Sequence, residues 1–176
     1  MEVFDTKTKT WAFLPSPGQE IGDSFEHYEN VAVEGSIYVQ SERKRKTYKL
    51  HKGKWRAADL ALTMGCATML PPLCRVIENV VYRYDSGDVT WYDFIDRLWR
   101  KVQGLEGKLP HSRNTDNYRL EDYGGKMVFL WEEHGHTKNV QNKTLVWCAE
   151  ISLERRQRLE ICGTSYCLLT SYCLFF

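Results

Sequence analysis

His134-Gly135-His136 places two imidazoles at alternate positions of a 176-residue chain. Two such rings can face one ion, which is how a zinc or copper site begins. No cysteine or carboxylate cluster accompanies them at ligand spacing, so the motif reads as a polar insertion loop. The remaining histidines, His27, His51 and His111, fall at no repeated position. A copper oxidase needs Tyr, His and Cys converging on the metal, and a sialidase-like hydrolase needs an arginine cluster on a carboxylate. The sequence selects neither set. A cysteine nucleophile needs a partnered histidine in a cleft. Nothing singles out one of Cys66, Cys74, Cys148, Cys162, Cys167 and Cys173, so reduced, largely buried thiols are expected. Arg43-Lys44-Arg45-Lys46 has the composition of a nuclear-import or phosphate-binding patch. It stands between two apolar runs, where a solvated hairpin turn accounts for it better. Asn142-Lys143-Thr144 is a glycosylation sequon that an intracellular protein does not use. No catalytic, cofactor-binding or metal-ligating residue is assigned.

The totals are those of one ordinary globular domain with a sizeable core. Net charge is +1, so no overall basic field draws nucleic acid. Hydrophobic content is 43% and charged content 27%, ordinary values for a globular domain. The aromatic share of 13% favours β architecture. Met1-Glu2-Val3-Phe4-Asp5 is acidic and lacks a signal-peptide core. No apolar run is long enough to span a membrane as a helix. The expected compartment is cytoplasmic or nuclear.

The elements that would hold any site come from a repeat. Trp11, Trp55 and Trp99 stand 44 residues apart, and each follows an aromatic by seven positions: Phe4, Tyr48 and Tyr92. Trp147 fits as the fourth leading aromatic, with Glu154 in the tryptophan's place. That last interval is 55 residues, the extra length being assigned to Glu132–Lys143. Before each pair lies an apolar-turn-apolar unit whose turn is Glu34-Gly35, Glu78-Asn79 or Gly124-Gly125. These are two-residue hairpin signals, because Gly and Asn tolerate positive φ. Each unit reads as four antiparallel strands, the length of a propeller blade. The recurring residues, Trp11, Tyr48, Trp55, Tyr92, Trp99 and Trp147 with Gly35, Gly124 and Gly125, are then structural. Large rings at fixed register fill the gap between successive sheets. Strands are expected at 2–5, 10–13, 30–34, 37–41, 46–50, 54–57, 74–78, 80–84, 89–93, 98–102, 118–123, 126–131, 144–151 and 158–162.

The repeat resembles the kelch repeat, and its wording is similar to that of plant F-box/kelch-repeat proteins. Val3 to Trp11, Val76 to Tyr82, Trp91-Tyr92-Asp93 and Val146 to Arg156 carry the resemblance, which covers residues 1–163. It implies an all-β fold, a partial kelch-type β-propeller of about three and a half four-stranded antiparallel blades. The family's glycine pair after the second strand is replaced by Gln40-Ser41, Tyr84-Asp85 and, roughly, Trp131-Glu132. No F-box segment is recognised, so the chain is expected to be part of a longer protein. Residues 164–176 are expected to be a divergent apolar tail. Thr164–Leu169 and Thr170–Phe175 nearly duplicate each other, and no charge follows Glu160.

The resemblance implies a protein-binding module, the substrate-recognition part of a ubiquitin-ligase (SCF) subunit without catalytic residues or cofactor. Its partner would be an unidentified substrate protein. The ligase adaptor would join only through an F-box upstream. Two other functions are compatible with the fold: a propeller enzyme of the galactose-oxidase or sialidase-like kind, and a non-functional remnant with uncovered sheet edges.

Overall fold

The computed structural model describes residues 2–16, 29–40, 45–57, 74–85, 87–111, 118–135 and 143–174. It divides into two compact units, Met1–Pro71 and Pro72–Phe176. Among the described residues, apart from one short 3-10 turn, Leu50–Lys52, the regular structure is strand.

The first unit holds a two-stranded sheet, β1 (Glu2–Asp5) with β2 (Thr10–Phe13). It also holds a four-stranded sheet, β3 (Glu29–Val33), β4 (Ser36–Gln40), β5 (Arg45–Lys49) and β6 (Lys54–Ala57), paired in chain order. The second unit holds two four-stranded sheets. One contains β7 (Cys74–Ile77), β8 (Val80–Asp85), β9 (Asp88–Asp93) and β10 (Leu98–Lys101). The other contains β11 (Tyr118–Tyr123), β12 (Lys126–Gly135), β13 (Lys143–Gln157) and β14 (Glu160–Leu174). All ladders between these strands are antiparallel. This is the all-β, sheet-by-sheet composition of a partial kelch-type propeller.

The local reasons are those the sequence suggests. Glu34-Gly35, Glu78-Asn79 and Gly124-Gly125 each take positive φ at both positions, between +47° and +83°. That is the type I′ turn whose twist matches the flanking strands. The aromatic pairs face each other directly across the third and fourth strands: Phe4 opposite Trp11, Tyr48 opposite Trp55, Tyr92 opposite Trp99. Their ring centroids lie 5.1, 5.1 and 5.3 Å apart, at similar tilts. Asp5 and Asp93, one residue after the leading aromatic, cap the turn that follows. Asp5 Oδ1 accepts the Lys7 and Thr8 amides, and Asp93 Oδ1 accepts those of Ile95 and Asp96. Burial of Asp93 opposes its charge, yet these amides and Arg100 hold its carboxyl below the usual range.

Several sequence expectations are corrected. Trp147 does not take the place of Tyr48 and Tyr92. Tyr48 stands opposite Ile37, two residues past its turn, and the residue opposite Met127, two past Gly124-Gly125, is Ile151. Trp147 lies four residues earlier and stacks on Trp131 at 6.0 Å. The insertion from Glu132 to Lys143 is not wholly a loop. Glu132–Gly135 pairs with Lys143–Val146, so at least part of the extra length extends a hairpin. β13 and β14 likewise run well beyond the expected 144–151 and 158–162. Arg45 and Lys46 open β5 rather than forming a turn; Arg43 and Lys44 lie outside the described residues. Trp11 is 68% exposed, because a two-strand sheet leaves one ring face to Phe4 and the other to solvent.

In the second unit the core fills the space between the two sheets. Trp91, Val89, Tyr82 and Tyr84 of one sheet meet Leu120, Met127, Phe129 and Ile151 of the other. The connector after β10 contributes Val102, Leu105 and Leu109, all buried. It is fastened to β14 by Gln103, whose amide donates to the Ile161 carbonyl while its carbonyl accepts from Gly163. Burial pushes both Tyr82 and Tyr84 up to about 12. Their unfolded value is about 10. The stabilisation from keeping them neutral is therefore whole below pH 10 and fades as pH rises from 10 through 12. A tyrosinate absorbance titration is expected to show a late fraction that ionises together with loss of near-UV dichroism. Full ionisation by pH 10.5 with the fold intact would contradict it.

Candidate binding surface

Antiparallel pairing sends the turns 78–79, 94–97, 124–125 and 158–159 to one end of the second unit. Two contacts tie these turns together. A Cβ on Gly125 would stand 2.8 Å from Glu78 Oε1, so the two hairpin turns touch. Arg158 reaches Asp96 at 3.6 Å. Ile95, Leu98, Leu159 and Tyr123 are exposed on or beside these turns. Between the first strands, Arg75 grips Glu121 with two bonds of 2.8 and 3.1 Å, which hold the carboxyl below its ordinary value. Arg155 lies over the Trp91 ring at 4.9 Å. The opposite end carries the β12–β13 extension, where Trp147 Nε1 donates to Glu133. There too the Tyr84 hydroxyl donates to the Pro110 carbonyl, and His111 packs against Gly87.

A polar cleft of about 510 Å³ opens where the connector meets β14, with Gln103, Lys108, Arg156, Glu160, Cys162 and Thr164 on its walls. Cys162 Sγ donates to Glu160 at 3.6 Å, and burial pushes the thiol up. That is the reverse of an activated nucleophile. Burial also raises Cys148. Cys74, Cys148 and Cys162 are in no disulfide and are half-buried, less enclosed than expected. Among the described residues, no group of three or more His, Cys, Asp or Glu side chains is placed to hold a metal ion. His134 is on β12, His51 is on an exposed turn, and His27, His136 and Cys66 lie outside the described residues. No helix of the described residues is long and apolar enough to cross a membrane.

Tyr48 with Trp55, Tyr92 with Trp99 and the three tight turns lie within the sheets, and the exposed chemistry sits on turns whose residues differ from repeat to repeat. The sequence reading missed Asp5 and Asp93. Their signal was present: an aspartate directly after the leading aromatic in two repeats.

The family model for the FKB95 kelch-repeats domain matches residues 1–168. The chain belongs to the FKB95 kelch-repeat family. An F-box/kelch-repeat protein of Arabidopsis thaliana is 44% identical to this kelch chain over 164 residues, 93% of the chain and 42% of that relative. Another Arabidopsis thaliana protein, provisionally named an F-box/kelch-repeat protein, is 45% identical over 148 residues, 84% of the chain and 47% of the relative. The kelch chain therefore spans less than half the length of these relatives. The family match runs through Leu168, so it includes part of β14 beyond Gly163.

Proposed function

We propose that the kelch chain is a protein-binding module, the substrate-recognition portion of an F-box ubiquitin-ligase subunit, and not itself a catalyst. The observation that carries this reading is the family match over residues 1–168, together with the F-box/kelch-repeat names of its relatives. The physical support lies in the turns. Rigid antiparallel sheets hold variable tips such as Ile95-Asp96-Arg97-Leu98 in fixed positions, which suits capture of a protein surface. Recognition would occur in the cytoplasm or nucleus, and an adaptor would join only through an F-box carried elsewhere on the polypeptide. The thiols held protonated fit a role without covalent chemistry.

The test is a pull-down from plant extract with folded chain as bait and heat-unfolded chain as control, followed by direct binding of the enriched protein. A partner that binds only folded chain is the expected result. Stoichiometric copper with oxidase activity, and no such partner, would replace the reading with the enzyme.

A further inference from the structure

Among the described residues the outer edge of β14 is uncovered from Ser165 to Leu169, and we propose that it pairs with the same edge of a second copy of this chain. β14 is the last strand of its sheet. The Ile161 carbonyl and the Gly163 amide point away from β13, because both bond to Gln103 of the connector. Strand backbone groups alternate in direction. Those of Ser165, Cys167 and Leu169 therefore also face outward, while Thr164, Tyr166 and Leu168 face β13. Among the described residues no further strand lies beside them.

Gln103 makes one isolated parallel bridge to this edge, at Cys162, which takes up its outward groups at Ile161 and Gly163 and covers only the first part. The irregularity where Val146 pairs with Ser171 and Trp147 with Leu169 limits the regular edge to about Leu169. The exposed ladder runs from Ser165 to Leu169, and natural edge strands are commonly protected by charge or proline. Here residues 161 to 176 carry no charge and no proline. That absence of charge argues for a second copy over a charged partner, since like strands meet without repulsion. A two-fold axis at Cys167 would set Ser165 opposite Leu169 of the second copy, pairing all the outward amides and carbonyls of the three residues. The inference is independent of the capture function, which concerns the turns.

The full 176-residue chain is examined by sedimentation and light scattering across a concentration series in reducing buffer. The expected result is a mass that doubles with concentration. Ser165→Pro removes an outward amide without breaking the β13 ladder. It should shift the association midpoint at least tenfold upward, with far-UV dichroism unchanged. Tyr166→Lys, on an exposed position of the same edge, should do likewise and decides the matter should the proline variant fold poorly. A chain monomeric throughout overturns the proposal. So does self-association, or thioflavin-positive growth, that neither variant alters.

Discussion

Trp91→Ala is expected to cost the Pro72–Phe176 unit about 3–5 kcal/mol, the range for deleting a fully buried large aromatic. Trp91 is 1% exposed and lies at the centre of the inter-sheet core, opposite Tyr82 within its own sheet. Its loss opens a cavity bounded by strands of two sheets, which cannot close without breaking ladders. It also strips the ring from beneath Arg155. A domain stable by roughly 5–15 kcal/mol would lose a large fraction. Trp91→Phe should cost much less. The Trp91 Nε1 donor is buried with no acceptor among the described residues, and phenylalanine removes that unsatisfied group while keeping most of the ring. Urea unfolding of the three proteins measures the order. Alanine and phenylalanine variants of equal stability would show that the ring is not a core keystone. Phe13→Ala is the control: at 80% exposure it should change stability by less than about 0.5 kcal/mol.

Gly163→Ala should destabilise the same unit by about 1–3 kcal/mol, an overpacking cost unusual for one methyl group. A Cβ there would lie 2.8, 2.9 and 3.0 Å from the three branch carbons of Leu105. Leu105 is 2% exposed and belongs to the inter-sheet core, so its side chain must shift against packed neighbours to make room. The neighbouring constraint is harder still. Gly104 sits at φ +81°, and its Cβ would strike the Gly163 carbonyl at 2.9 Å. Gly163→Ala combined with Leu105→Ala should recover part of the loss, because the second change vacates the volume that the first invades. Strictly additive losses in thermal or urea melts would show that the close approach is not the cause.

The frame was legible because it rests on short-range chemistry repeated three times. Tyr48 with Trp55 and Tyr92 with Trp99 fix strands three and four, and Glu34-Gly35 or Glu78-Asn79 fix strands one and two. The last sheet was harder to read. Ile151 replaces the leading aromatic, so spacing alone drew Trp147 into a position it does not occupy. Polar residues at Glu132–Gly135 suggested a loop, although antiparallel pairing carries the hairpin outward past the core, where polar side chains are tolerated. The burial of Val102, Leu105 and Leu109 depended on the connector's path, which no local pattern encodes. The candidate binding surface was least legible, since turn tips such as Ile95 and Leu159 follow no periodicity.

Every named ladder joins strands that are consecutive in the chain. Each sheet can therefore zip from its own hairpins without waiting for a distant segment, which favours rapid assembly for a β protein. The contact between Gln103 and β14 is different: it spans about 60 residues and forms only when the last hairpin is complete. On a ribosome, the sheet β7–β10 would emerge and pair while its Trp91 face still lacked a cover. The arrival of β11, β12 and β13 would then close that face, and β14 would add Ile161 and the bridge to Gln103 as the last contacts to form.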